Sequence, residues 1–364
     1  MADQAIRVRW LPVAAIASFV VFVVLVLLSA GSTLGYDYSA YAAAALRLVH
    51  GQPLYNPSVE VAGGFLLFLY PPPFAFLVVP FALLPGSIGT GAWLGTMIAV
   101  FLAGTALLPV RREVRWLVLL LGGLSWPLAY SFKLGQVGPL LFLLFAIGWR
   151  WLDRPGRLGT AIALGTLIKV QPAIVLVWAG LNQRWRTIGV ALAVMAGAAV
   201  LATLVTGPGT WSDYLQVLRQ VSASITTPHN FTPGAIAYEL GVPEQVATVI
   251  QLVSTIGVLG VTVWAALRRP AEVGYMTAVT ASQLLSPVLW DHYAMLLLLP
   301  VAWLLERRQW WAVLIPLATA TPVVLLGIVP AAVYPVLFWL GLLGPVIASQ
   351  ASPAPLGLAR QEPA

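Results

Sequence analysis

The chain has 364 residues, of which 60% are hydrophobic and only 9% charged, with a mean hydropathy of +0.91. Soluble domains are about half apolar and about a quarter charged, so this composition excludes one and points to an all-α polytopic integral membrane protein. The net charge of +7 is a matter of topology, because Lys and Arg gather in cytoplasmic loops; it does not imply a nucleic-acid partner, and a cysteine-free chain has no disulfide or thiolate chemistry.

Arg7 and Arg9 precede a first apolar run, Pro12 to Gly31, long enough to cross a bilayer. No small-residue cleavage motif follows it, so it is predicted to be an uncleaved span. Further spans are predicted at 87–109, 116–131, 137–150, 187–206, 246–267, 273–289, 293–305, 310–327 and 331–348. Two stretches do not fit a simple crossing. Pro71 to Pro85 is too short and too rich in proline for a regular span, and is predicted to be a re-entrant or interfacial helix. Leu158 to Leu181 has basic residues at both ends with Lys169 and Pro172 in the middle, and is predicted to enter and return on one side. Irregular backbone at membrane depth is tolerated where protein or a wet cavity covers it, so both stretches point to a cavity.

With the N-terminus in the cytoplasm, the arginines at 111, 112, 115, 150, 154, 157, 184, 186, 268, 269, 307, 308 and 360 all fall inside. Of the 19 basic residues, that leaves Arg47, Lys133, Lys169 and Arg219 on the outer face. All three histidines and Asp37, Glu60, Asp213, Glu239, Glu244 and Asp291 join them on that face, whose two sizeable loops are 32–70 and 207–245. The chain is thus predicted to hold one transmembrane domain, 1–350, and a disordered cytoplasmic tail, 351–364. No internal repeat is evident.

Asp37 opens an Ala-rich helix pattern that Gly51 and Pro53 end, just beyond the first span. An ionisable group so close to a span is costly and is a functional candidate by default. It suits a general base acting on an acceptor hydroxyl, and it equally suits an N-cap. Tyr36, Tyr38, Tyr41 and Tyr55 read as interfacial anchors, although Tyr41 shares the helical face of Asp37. Arg47 and His50 sit where positive charge favours a helix C-terminus. Tyr70 opens Y-P-P-P, whose prolines start a helix. Lys133 lies in K-L-G-Q-V-G-P with Gln136, and Lys169 in K-V-Q-P with Gln171. Either lysine can snorkel to headgroups or hold a phosphate as a point charge. His229 lies in P-H-N-F-T, and His292 follows Trp290 in S-P-V-L-W-D-H-Y, where it can meet a lipid phosphate or serve only in a turn. Three scattered histidines and no D-x-D pair support no metal site, and no nucleotide-binding loop is present.

In this order the stretches closely resemble glycosyltransferase family 87, the polyprenyl-phosphate-mannose-dependent mannosyltransferases of the GT-C class, from about Gly35 to about Pro300. The resemblance implies a GT-C fold with about 10–13 membrane helices, some short and re-entrant, and an outer-face juxtamembrane helix after the first span. It implies an inverting enzyme of the cell envelope, working without a cofactor on the periplasmic or extracellular face. Its donor is a polyprenyl-phosphate sugar, mannose in this family, and its acceptor a glycolipid or polysaccharide, both met among membrane lipids. Asp37 takes the catalytic role in that reading. Lys169, His292 and Lys133 meet the donor phosphate, and Tyr41, Tyr70, Gln136, Gln171, Trp290 and His229 line the substrate pocket. The alternative is a secondary transporter or flippase; such proteins commonly carry inverted repeats with polar groups at the bilayer midplane.

Overall fold

A computed structural model describes residues 2–56, 67–222 and 225–351, and these form helices joined by short breaks. Glu60, part of the first outer loop and all but the first residue of the expected tail lie outside the described residues. In chain order the helices are α1 (Ala2–Ser29), α2 (Tyr36–Val49), α3 (Pro72–Ala82), α4 (Gly86–Leu107), α5 (Arg112–Leu124), α6 (Trp126–Leu134), α7 (Gly138–Arg150), α8 (Pro155–Ile168) and α9 (Ile174–Leu181). There follow α10 (Trp185–Thr206), α11 (Gly209–Ser222), α12 (Pro233–Glu239), α13 (Glu244–Arg268), α14 (Ala271–Leu284), α15 (Leu298–Glu306), α16 (Leu314–Leu317), α17 (Thr321–Leu325) and α18 (Val333–Ala351). Among the described residues the only β pairing is an isolated antiparallel bridge between Ser125 and Ala320.

Among the described residues, five helical stretches are long and apolar enough to cross a bilayer: Trp10–Ser29, Gly86–Leu107, Trp185–Thr206, Glu244–Arg268 and Val333–Gln350. A sixth exists if α6 and α7, bent by 119°, count as one broken span. The other predicted spans are cut where the chain carries proline or leaves helical geometry. The apolar run at 116–131 divides at Ser125, whose extended backbone ends α5 before Pro127 starts α6. The run at 273–289 ends early, because α14 stops at Leu284 before Pro287, and a 3-10 turn, Asp291–Leu297, leads into α15. The run at 310–327 is a 3-10 turn, Trp310–Val313, followed by α16 and α17, with Pro322 starting α17. Hydropathy sees none of these breaks, because the residues that make them are themselves apolar or small.

Both irregular stretches are largely helical. Pro71 is extended and caps α3, whose first residues are Pro72 and Pro73; a missing N–H there removes only a group that had no partner. In the other, α8 ends at an extended Lys169, a 3-10 turn covers Gln171–Ala173, and α9 follows. Arg184, just past α9, donates to the Leu152 carbonyl at 2.5 Å and pairs with Asp153 at 3.0 Å, just before α8. The stretch therefore leaves and returns to one place, with Lys169 at its far end.

Packing pairs α1 with α5, α4 with α7, α8 with both α7 and α10, α13 with α14, and α14 with α18, around an interior that includes Trp93, Phe101, Phe132, Phe142, Trp178 and Trp303. α2 lies on α3 and touches α6. Chain breaks of α2, α6–α7, α8–α9 and α14–α15 meet at one end of this bundle. Arg150, Arg184 and the Glu272–Arg307 and Glu306–Arg111 pairs lie at the other ends of the same helices.

Candidate active site

Those breaks enclose a cavity of about 370 Å³. Asp37, Tyr41, Tyr70, Gln136, Lys169, Gln171, Trp290 and His292 all line it, although they come from stretches as far apart as α2 and the turn before α15. Lys133 and His229 are not on its wall. The Lys133 ammonium stands 5.8 Å from the ring centroid of Tyr130, and its backbone carbonyl accepts from Gly35 N at 2.8 Å. His229 is exposed, with φ of 57°. Its neighbour Asn230 is buried instead, donating to the Pro287 carbonyl at 3.2 Å and accepting from Leu289 N at 3.0 Å. The second outer loop is thereby stapled to the Ser286–Trp290 wall of the cavity.

Two glycines set the position of Asp37. Gly35 caps α2 with φ of +72°, and Gly135 ends α6 with the same φ. Other residues enter this left-handed region only with strain. A Cβ on Gly35 meets Thr90 Cγ2 at 2.7 Å, and one on Gly135 meets Tyr38 Cβ at 2.9 Å. With no side chains at the clasp, the start of α2 sits against the end of α6. Asp37 is accordingly not the N-cap. It lies in the first turn of α2, and its Oδ2 accepts a hydrogen bond from Gln136 Nε2. Burial pushes the Asp37 carboxyl above its ordinary range, opposed in turn by His292, the Gln136 hydrogen bond and Lys169.

The tyrosines after the first span are not a belt. Tyr36 lines the cavity, and Tyr38, Tyr41 and Tyr55 are buried. Tyr41 and Tyr70 bring their hydroxyls to 2.6 Å, and each reaches Gln136 Oε1 at 3.2 Å. Tyr55 donates to the Tyr70 carbonyl at 2.6 Å. Arg47 and His50 close α2 as expected, donating to the Leu54 carbonyl and contacting the Leu46 carbonyl, both at 2.8 Å.

Across the cavity, Lys169 Nζ donates to Tyr293 Oη at 2.8 Å and lies 3.9 Å from that ring's centroid and 5.7 Å from Tyr70's. Gln171 Nε2 donates to Ser286 Oγ at 3.2 Å. His292 is buried, and among the described residues neither ring nitrogen has a hydrogen-bond partner. Buried polar atoms are nearly always paired, so this imidazole beside the cavity is a candidate for a ligand contact. Asp291 Oδ1 accepts from the His292 backbone N at 2.8 Å and lies 3.6 Å from its Nδ1, while Trp126 Nε1 holds Asp291 Oδ2 at 3.0 Å. Trp290 lies parallel to the imidazole at 6.4 Å, and Tyr293 is edge-on at 4.9 Å.

Sequence reasoning passed over Tyr130, Tyr214 and Tyr293, which line the cavity together with Ser286. Tyr293 and Ser286 stood inside the motif that carried His292. Tyr214 belongs to the amphipathic α11, whose pattern gives no hint of what it covers.

This arrangement has a carboxylate on one side and a lysine and a histidine on the other, in a cavity walled by aromatic rings. It suits removal of a proton from a hydroxyl and stabilisation of an anionic leaving group. Among the described residues no group of three or more His, Cys, Asp or Glu is placed to hold a metal ion.

Comparison with known proteins agrees with this chemistry. The chain is 26% identical over 288 residues to a polyprenol-phosphate-mannose-dependent alpha-(1-2)-phosphatidylinositol mannoside mannosyltransferase of Mycobacterium tuberculosis, covering 71% of this chain and 67% of that protein. It is 25% identical over 341 residues to the enzyme of the same description from Mycolicibacterium smegmatis, covering 80% and 76%. A phosphatidylinositol pentamannoside mannosyltransferase of Mycobacterium tuberculosis, also polyprenol-phosphate-mannose-dependent, is 26% identical over 319 residues, covering 78% and 72%. No solved structure matches. The family model for glycosyltransferase family 87 matches residues 68–290, more than half of the chain, and with the polar cavity those residues help to enclose it shows that this protein belongs to that family.

Proposed function

We propose that this chain transfers a mannosyl group from a polyprenyl-phosphate donor to a hydroxyl of a glycolipid acceptor, with inversion at the anomeric carbon, on the outer face of the membrane. One observation carries the reading: Asp37, Lys169 and His292, far apart in sequence, line a single cavity. The acceptor hydroxyl attacks the anomeric carbon from the side opposite the phosphate. Its proton passes to Asp37, the new glycosidic bond forms, and the old bond breaks with its electron pair leaving on the phosphate oxygen. A well-placed base contributes about 10²–10⁴ in rate. Lys169 and His292 stabilise the leaving phosphate, assistance that is often the largest single contribution. The phosphatidylinositol mannoside acceptors named for the relatives make a glycolipid the favoured acceptor class.

The face is argued from charge. α7, α8 and α15 each run between the cavity and the arginine-rich end, and α8 alone spans roughly 20 Å at 1.5 Å per residue. Arginine marks the cytoplasmic side, which supports an outer-side position for the cavity, the juxtamembrane α2, the half-helix α3 and the Lys169 hairpin. The donor's hydrocarbon chain then lies beside α3, whose Leu77 is exposed.

The test is a transfer assay with the purified chain in lipid nanodiscs, labelled polyprenyl-phosphate mannose and a phosphatidylinositol mannoside. Label is expected in the glycolipid, in a linkage of inverted anomeric configuration. Transfer from a nucleotide sugar in place of the lipid donor, or retention of configuration, contradicts the proposal.

A further inference from the structure

Gln136 stands at the 119° bend between α6 and α7, 99 residues from Asp37 in sequence, and is buried. From its geometry we infer that Gln136 is a positioning residue, whose amide, pinned by Tyr41 and Tyr70, fixes which oxygen of Asp37 faces the acceptor. The inference rests on Asp37 being the base of the proposed reaction.

An amide has one accepting and one donating end, and here each has a different neighbour. Oε1 forms a triangle with the hydroxyls of Tyr41 and Tyr70, in which two phenolic protons serve three oxygens. Nε2 points the other way and donates to Asp37 Oδ2. Turned over, the amide sets its own oxygen against the carboxylate, acceptor against acceptor. The phenols and the carboxylate therefore select one orientation between them. The floor under the amide is rigid. Tyr41 packs on Phe74 at 5.3 Å and on Trp93 at 6.1 Å, and Tyr70 packs on Phe74 at 4.8 Å. Trp93 Nε1 donates to the Gly135 carbonyl at 2.7 Å, fixing the bend itself. With Oδ2 engaged, Oδ1 is the oxygen that takes the proton. An amide that accepts from both phenols and donates to Asp37 acts on the base, so its effect belongs in the chemical step.

The experiment is a kcat–pH profile for the nanodisc-embedded full chain, given polyprenyl-phosphate mannose and the glycolipid acceptor, for wild type, Gln136→Leu, Gln136→Glu and Asp37→Asn. The groups facing Asp37 are His292 and Tyr293 from the turn before α15, Lys169 from the hairpin, Tyr130 from α6, Tyr70 from the start of α3 and Tyr41 from α2. The acid limb, where Asp37 takes up a proton, is the readout. Gln136→Leu removes a hydrogen bond that favours the ionised carboxylate, and its acid limb is expected about one unit higher in pH. Its kcat is expected to fall about 10²-fold, the scale of a misplaced reacting group, with the KM of each substrate changed less than about threefold. A folded Gln136→Leu protein with wild-type kcat and acid limb, or with its defect confined to acceptor KM, overturns the inference. Gln136→Glu decides the matter if the leucine variant does not fold, because its carboxylate still accepts from both phenols. Two adjacent carboxyls share a proton, so its acid limb is expected to move further upward, and an unmoved limb overturns the inference. Transfer retained by Asp37→Asn removes the base assignment instead, which separates the two failures.

Discussion

Burial holds the Asp37 carboxyl above the ordinary carboxylate range, and this fixes how activity responds to acid. As the proposed base, Asp37 works only when ionised, so activity is complete above the raised pKa and lost as pH falls through it. The acid limb of kcat is therefore expected at higher pH than a model carboxylate's value of about 3.9, and a steady-state pH series checks it. Lys169 faces the same cavity with its ammonium on Tyr293. Lys169→Met keeps the stem and removes the charge, and is expected to lower kcat/KM for the lipid donor about 10²-fold, the scale of losing one stabilising donor, without loss of melting temperature. Asp37 stood out in the sequence because a carboxylate beside a span is rare and costly. Gln136 was expected on the pocket wall, but its bond to Asp37 was not legible, because nothing local in K-L-G-Q-V-G-P says that the glutamine reaches a helix 99 residues earlier. Asn230 was hidden for the opposite reason: the neighbouring histidine drew the functional reading, while the amide makes the contacts.

At the scale of the element, the site depends on places where helices stop. α2 meets α6 through Gly35 and Gly135, and the strain of a side chain at a positive φ falls where Asp37 and Gln136 meet. Gly35→Ala is expected to cost about 1–2 kcal/mol for the left-handed backbone and roughly 1–3 kcal/mol more for the Thr90 clash, with transfer falling alongside stability. Gly91→Ala, inside α4 where a Cβ meets nothing within 4 Å, is expected to be neutral or to stabilise by about 0.5–1 kcal/mol. Thermal melts of the two variants in one detergent test the contrast. Proline and charge made α3 and the Lys169 hairpin legible as departures from simple spans. The division of 116–131 at Ser125 and the breakup of 310–327 were illegible, because a long run of apolar residues looks the same whether it is one helix or three.

For the whole molecule, one physical rule organises the account: arginine at one end of the helices, the polar cavity at the other. The chain lacks cysteine, so single cysteines report the sidedness directly. A membrane-impermeant maleimide is expected to label His229→Cys in intact cells and Arg186→Cys only after permeabilisation; the reverse pattern contradicts an outward-facing site. Class and family were legible because composition and the order of motifs survive without coordinates. The convergence of α2, the α6–α7 bend, the hairpin and the turn before α15 was expected only through the family resemblance, since it depends on which helices pack together. The most direct measurement is the transfer rate of purified Asp37→Asn beside wild type, with melting temperature followed in parallel. Losing the buried ionised carboxylate should leave stability equal or higher at neutral pH, while transfer falls by about 10²–10⁴-fold. Transfer at the wild-type rate by a folded Asp37→Asn protein contradicts the account.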